Sequence, residues 1–424
     1  MSSSLVSASP GEPSETRLWA ALMRLAEFVE PGQAGWTRRV FSCAYMESRA
    51  LVRTMMEEAG LAVTQDPVGN LIGRLGGRDP ALPPLVVGSH TDTVSGGGRF
   101  DGMVGVVAAI EVARTLATSS ISLRRPLWIV DFLGEEPNRF GLSCLGSRAV
   151  TGHLTEQHMD LIDDAGLSLG EELRRAGWRP DDLGSARWQG GSLHAYLELH
   201  IEQGAQLERA GRQIGIVTAI AGISRARIDI EGRADHAGTT PMELRLDALQ
   251  AAAEIVLATD AIGRDQEGGE EGVATVGRLL VEPNVTNVIP ARAQLGVELR
   301  SIAPRWLEQR SRDLELLVDR VARERRLVLT LEWLSTEPPV RCDGRLRRAM
   351  GRAASQVGAD PFELPSGASH DAAHIARIAP MGMLFIPSRG GRSHCPEEWS
   401  EPAEVALGAR SLLQTVLDVD AAQL

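Results

Sequence analysis

The sequence predicts an α/β protein built from two domains, the smaller one inserted into the larger, and three observations carry that prediction. With 424 residues the chain exceeds what one core comfortably organises, so two domains are the default. Segments rich in Val, Ile and Leu alternate with helical patterns through the first half, the signature of an α/β sheet with largely buried strands. From about residue 216 to 332 the pattern changes to half-exposed alternating strands in the order βαββαβ, the split-βαβ arrangement.

The elements follow in chain order. Residues 1–16, MSSSLVSASPGEPSET, are small and polar without a basic start and an apolar stretch, and read as a flexible tail rather than a signal peptide. Residues 17–215 and 333–424 form the first domain. There PLVVGS (84–89) and LWIVDFL (127–133) read as buried strands, with a helix at GVVAAIEVARTL (105–116) between them. In the inserted segment 216–332, ISRARIDI (223–230) alternates like a half-exposed strand, and an Ala- and Leu-rich helix covers 243–259. Strands at 272–281 and 293–301, a charged helix at 306–325 and a strand at 327–334 complete the unit. DQEGGEEG (265–272) reads as an acidic surface loop.

Composition narrows the function. Hydrophobic residues at 43% and charged residues at 24% fit a folded domain rather than a disordered chain. The net charge of -12 disfavours nucleic acid or an anionic membrane as the main partner. No apolar run approaches the roughly 20 residues of a membrane span. Cys43, Cys144, Cys342 and Cys395 are scattered without a CxxC pair, so neither a disulfide framework nor a cysteine zinc site is expected, and a reducing cytoplasm fits best.

The chemistry-bearing residues cluster where strands end. In GSHTDTVSGGGRFDG (88–102) a buried strand runs into His90, Asp92, a glycine run and Asp101. The glycines lack the lysine of a P-loop and the GxGxxG spacing, so a phosphate cradle is not indicated. Asp92 is placed to orient His90 if the strand end bends. Asp101 reads either as the cap of the following helix or as a ligand. The next strand ends in Glu135-Glu136, adjacent carboxylates that are costly to bury unless a cation compensates them. ELHIEQG (198–204) and SHCPEE (393–398) add His200 and His394 flanked by acids. Three histidines and several carboxylates at strand or loop ends of one α/β domain suit a two-metal, water-activating site.

These segments, with GEEPNRFGLSCLGSR (134–148), DHAGTTPM (235–242) and NVTNVIP (284–290), closely resemble the M20-type dinuclear metallohydrolases. The likeness is to the branch holding N-carbamoyl-L-amino acid hydrolases, allantoate amidohydrolases and related ureido-acid amidohydrolases. It covers nearly the whole chain after the tail. The resemblance implies a catalytic domain with a mixed sheet flanked by helices, plus an inserted lid whose four-stranded sheet helps form a homodimer. It implies that Asp101 bridges two divalent ions, with His90 and His200 completing one site and Glu136 and His394 the other. Glu135 is then the general base and Asp92 orients His90. Histidine and carboxylate ligands suit Zn, Mn, Co or Ni.

The same resemblance places Gln203, His236, Asn287 and Arg300 around the substrate, with His236 stabilising the developing oxyanion of the partner subunit's site. Arg300 offers a fork for a carboxylate. One departure stands out: SGASHDAAH (366–374) carries Ser369 where the family usually has glycine, beside a substrate loop supported by His370; His374 reads as structural. The expected activity is metal-dependent cleavage of the ureido C–N bond of an N-carbamoyl-L-amino acid or related ureido acid. The nearest rivals are allantoate, ureidoglycolate or N-carbamoyl-β-alanine hydrolysis, and EEPNRFG leans slightly towards a general ureido-acid or ureidoglycolate type over the bacterial allantoate enzymes. A catalytically silent binding protein of this fold is expected to lack Glu135 or a ligand, and none is missing.

Overall fold

The computed structural model describes residues 11–119, 121–265 and 272–422. Residues 1–10 of the expected tail and 266–271 of the expected acidic loop lie outside them. The last part of the expected tail is ordered by helix capping. Ser14 caps the helix Glu15–Leu25, and its backbone N–H donates to the buried Glu111 carboxylate at 2.8 Å.

The strands in chain order are β1 (Ala62–Gln65), β2 (Leu71–Leu75), β3 (Leu85–His90), β4 (Leu127–Phe132), β5 (Ala195–Ile201), β6 (Ile214–Ile220) and β7 (Gly222–Glu231). They continue as β8 (Gly272–Glu282), β9 (Arg292–Ser301), β10 (Val328–Glu337), β11 (Val340–Arg341), β12 (Pro361–Ser366) and β13 (Met381–Ile386). The chain divides into two compact units. One comprises residues up to Thr218 with Cys342–Leu364 and His370 onwards; the other comprises Ala219–Arg341 with Pro365–Ser369.

The larger sheet runs β1-β2-β4-β3-β5-β13-β6 and belongs to the first unit up to Thr218; the last two residues of β6, Ala219 and Ile220, pair with β11 within the second unit, and β12 also pairs with β6. It is mixed: β3, β4, β5 and β13 are mutually parallel, whereas β1, β2 and β6 join antiparallel. The parallel strands are apolar and β3, β5 and β13 are buried along their whole length, as strands covered on both faces must be. The helix Met103–Thr118 is buried around most of its circumference because its run of Val, Ala and Ile packs between the sheet and the C-terminal helix Pro402–Ala421. Side by side, the carboxyl ends of β3, β4 and β5 form one edge, the position at which open α/β sheets bind ligands.

The second unit is a four-stranded antiparallel sheet in the order β10-β7-β9-β8, with the helices Ala248–Arg264 and Pro304–Arg325 packed on one face. Its βαββαβ order is the one expected. Alternation sets its core: Ala226, Ile228 and Ile230 of β7 and Leu295, Val297 and Leu299 of β9 point inwards to Ile255, Leu314 and Val318. The first helix starts later than 243, because Asp247 caps it with a carboxylate that accepts the Leu249 and Gln250 N–H groups. The last strand runs past 334 to Glu337, which pairs with Ile223.

Candidate metal centre

The first unit brings His90, Asp101, Glu135, Glu136, His200 and His394 to one place. His90 is the last residue of β3, Glu135 and Glu136 follow β4, His200 lies near the end of β5, and His394 follows β13 by a short loop. Donor atoms of His90, Asp101 and His200 lie within 4.8 Å of one another, and so do those of Asp101, Glu136 and His394. Asp101 is common to both groups: its Oδ1 is 3.1 Å from His200 Nε2 and 3.8 Å from His90 Nε2, and its Oδ2 is 2.9 Å from His394 Nε2. The cap of the following helix is Gly102, and the Asp101 carboxylate turns to the histidines.

Local folding explains how the side chains converge. Gly102 has φ +68, and a Cβ there would lie 2.4 Å from the His90 ring, so the turn after the glycine run admits only glycine beside that imidazole. His200 Nδ1 bonds the Ile201 carbonyl at 2.9 Å, which fixes the ring and turns Nε2 towards Asp101. His90 Nδ1 lies 3.2 Å from the Asp92 carbonyl and 3.5 Å from its Oδ1. The Asp92 carboxylate also accepts the backbone N–H groups of Glu135 and Glu136, each at 3.1 Å, so one residue orients both the His90 ring and the paired-glutamate turn. His394 adopts φ +55, an unusual conformation for a non-glycine residue.

The electrostatics are those of a cation-seeking pocket. Glu135 and Glu136 are 7% and 5% exposed, and burial pushes both up, Glu136 to about 8 with the Asp101 charge adding to the effect. The leading opposing influences are the imidazoles of His90 and His394 rather than a lysine or arginine. Burial also pushes Asp101 upwards, but hydrogen bonds from His200 and His394 prevail and hold it well below the usual carboxylate range. His394 is raised to about 9 by its hydrogen bond to Asp101. Imidazole nitrogens and carboxylate oxygens arranged in two overlapping triads suit divalent metal, and the buried carboxylates are the charge such an ion compensates.

Several neighbours complete the pocket. Gln203, with φ +58, donates its side-chain amide to Asp101 Oδ2 at 2.9 Å. The buried His370 ring meets His200 edge-on at 4.6 Å. Glu198, His200 and His370 form a third converging set, but the Glu198 oxygens are taken by the Ser89 and Tyr196 hydroxyls, each at 2.9 Å. His374 is buried, and burial holds it well below the usual imidazole range, which fits the structural role read for it. Sequence reasoning missed Cys144, whose thiol donates to Glu135 Oε1 at 3.5 Å from a left-handed residue that returns the chain to the glutamate turn.

His236, Asn287, Arg300 and Ser369 belong to the second unit. His236 is exposed and forms a bridge with Val288, while Ala237 donates its N–H to the Asn287 carbonyl, so the HAGTTP and NVTNVIP segments are zipped together. The His236 Nδ1 accepts the N–H groups of Gly238 and Thr239 at 3.0 and 3.2 Å, which leaves Nε2–H as the outward donor of the neutral ring. Arg300 is less free than a bare fork: Nε bonds Glu298 at 2.5 Å and Nη1 bonds the Gly367 carbonyl at 2.9 Å. Ser369, partly buried, follows directly on that tethered loop.

A mixed sheet presenting histidines and carboxylates at its strand ends around one shared aspartate defines a hydrolase of the metal-dependent α/β class. The chain belongs to peptidase family M20/M25/M40, whose family model matches residues 86–418. It is similar to an N-carbamoyl-L-amino acid amidohydrolase of Geobacillus stearothermophilus, 42% identical over 402 residues that cover 94% of this chain and 97% of the relative. It is also similar to a ureidoglycolate hydrolase of Arabidopsis thaliana, 37% identical over 92% of this chain and 84% of that one. A crystal structure of an amidase of the hydantoinase/carbamoylase family from Burkholderia multivorans superposes with a TM-score of 0.86 at 35% identity, covering 97% of this chain and 99% of that one. The enzyme is an amidohydrolase acting on C–N bonds of linear amides.

Proposed function

We propose that the protein hydrolyses the ureido C–N bond of an N-carbamoyl-L-amino acid, adding one water and releasing ammonia, carbon dioxide and the amino acid. The observation that carries this reading is the pair of donor triads sharing Asp101, with Glu135 beside them at 3.7 Å from His90 Nε2. Support for the substrate class comes from the N-carbamoyl-L-amino acid amidohydrolase that is 42% identical over nearly the whole chain. His90, Asp101 and His200 would hold one divalent ion and Asp101, Glu136 and His394 a second. Zn, Mn, Co or Ni in these positions would polarise the ureido carbonyl and make water a better nucleophile near neutral pH.

The chain's own residues do the rest. Glu135, buried and held by Asp92 through its backbone and by Cys144 through its carboxylate, takes the proton of the attacking water and returns it to the departing nitrogen. Asp92 fixes the His90 ring. His236 offers its Nε2–H to the oxygen that becomes negative, in the active site of a partner subunit. Gln203, Asn287 and Arg300, with the loop of Ser369 and His370, bind the ureido and carboxylate groups. A homodimer through the second unit is supported by its edge strand β8, where Val273, Leu279 and Leu280 are exposed and await cover. A cytoplasmic setting agrees with four unpaired cysteines and with the finding that, among the described residues, no helix is long and apolar enough to cross a membrane.

A second reading, a ureidoglycolate-type substrate, is favoured by the Arabidopsis relative. One assay separates the two. Protein stripped of metal and reloaded with Mn or Zn is assayed for ammonia release on N-carbamoyl-L-amino acids, N-carbamoyl-β-alanine, allantoate and ureidoglycolate. The expected result is metal-dependent turnover, highest on an N-carbamoyl-L-amino acid, with Glu135→Gln slower by about 10²–10⁴-fold while keeping its metal. Faster turnover of ureidoglycolate supports the second reading. No ammonia from any ureido acid by metal-loaded protein sinks both.

A further inference from the structure

Among the described residues Glu398 belongs to no converging donor group, yet it is 1% exposed and joins the loops that deliver two of the proposed ligands. Its Oε1 accepts the backbone N–H groups of Phe100 at 2.8 Å and Asp101 at 3.1 Å, from a position 298 residues further along the chain than Phe100. Its Oε2 accepts the Ser393 hydroxyl at 2.7 Å, one residue before His394. The same hydroxyl lies 3.3 Å from Asp101 Oδ2. Both oxygens are therefore engaged by N–H and O–H donors from two loops, which makes Glu398 a clamp between them. Its own N–H closes a turn on the Cys395 carbonyl at 3.1 Å, directly after His394, whose φ of +55 must be held by its surroundings.

The glycine run is shaped to receive this carboxylate. Gly98 does not have a positive φ, so its backbone accepts any small residue, but a Cβ there would stand 2.1 Å from Glu398 Oε1. Space, not conformation, demands glycine. The guanidinium of Arg99, stacked between Trp36 at 4.2 Å and Trp399 at 4.7 Å, supplies nearby positive charge.

We propose that Glu398 is a positioning residue that ties the Asp101 loop to the His394 loop and thereby assembles the Asp101–Glu136–His394 donor set, with Gly98 reserving the space it needs. The inference rests on the two-metal reading above. It is tested by titrating Mn or Zn into metal-free protein and following bound metal and affinity directly, alongside kcat and KM. The unsubstituted protein is expected to take two equivalents. Glu398→Ala is expected to keep the first and bind the second about 10–100-fold more weakly, with kcat falling more than KM rises. Glu398→Gln, which still accepts the two N–H groups, is expected to retain the second equivalent.

A double-mutant cycle separates this role from general stabilisation. Gly98→Ala is expected to weaken the second equivalent in the presence of Glu398 and to have little further effect in Glu398→Gly, because a Cβ at position 98 would also stand 2.4 Å from the Glu398 Cβ, which glycine removes together with the carboxylate. Should Glu398→Ala not fold, Gly98→Ala with the carboxylate intact carries the same expectation alone. Two tight equivalents in Glu398→Ala, or a Gly98→Ala effect that is equal in both backgrounds, overturn the proposal and leave the two-metal reading standing. Failure of the unsubstituted protein to bind a second equivalent removes that reading and the proposal together.

Discussion

Protons compete with a metal for the donor atoms of Glu136 and His394, and this makes the centre's occupancy a function of pH. In the metal-free protein burial holds the Glu136 proton to about 8, and the bond to Asp101 holds the His394 proton to about 9. In the unfolded chain these groups revert to ordinary values of about 4.5 and 6.5. Between those limits the folded state binds more protons than the unfolded one, so stability falls as pH rises from about 5 to about 9. A metal displaces both protons, and its affinity rises over the same window. Urea midpoints at intervals from pH 5 to 9 are expected to decline without metal and to flatten or rise with it. A metal-free midpoint that climbs with pH would contradict the assignment of these protons.

At the scale of elements, the site is braced from behind by a buried ion pair that links a helix to a strand. Arg49, on the helix Cys43–Glu58, is 3% exposed and lies 3.4 Å from Asp131 of β4, while its other nitrogens bond the Tyr45 hydroxyl and the Gly69 carbonyl. Asp131 in turn accepts the Thr91 hydroxyl at 3.0 Å, next to His90. Burial pushes Asp131 up even with Arg49 beside it, so removing the guanidinium leaves a carboxyl that must take a proton. Arg49→Met is expected to cost about 3–5 kcal/mol, read as a lower urea midpoint with an unchanged slope, and adding Asp131→Asn is expected to recover part of it. Equal stability of Arg49→Met and the parent protein would dismiss the brace. None of this was legible in the sequence, where Arg49 is one arginine in an amphipathic helix. What was legible followed short-range rules: apolar strands announced β3 and β4, each ended at the residues with chemistry, and alternation announced β7 and β9. The end of β10 was missed because Ser335, Thr336 and Glu337 are polar on an edge strand, and only pairing with β7 keeps them extended. The Cys144–Glu135 and Glu398–Phe100 contacts escaped for the same reason, since tertiary folding alone makes them neighbours.

The whole molecule divides its proposed machinery between two units, with the metal residues, Glu135, Gln203 and His370 in one and His236, Asn287, Arg300 and Ser369 in the other. Each unit has its own core, so each holds its own residues rigidly and leaves the question of which chain's His236 serves which Glu135. The turn around His236 bears on it: the ring is exposed and Nδ1 is occupied by two backbone N–H groups, which leaves Nε2 as the donor. If it acts across a dimer, Glu135→Gln and His236→Ala damage different sites in a mixed pair. Each variant alone is expected to be nearly inactive. Unfolded together in equal amounts and refolded, half of the dimers pair unlike chains, and each of those regains one site carrying both Glu135 and His236. Ammonia release is then expected to recover to about one quarter of the parent activity. If His236 instead serves its own chain, every site in the mixture lacks one of the two residues and no activity returns. The outcome therefore distinguishes a lid that completes the partner's site from one that closes over its own.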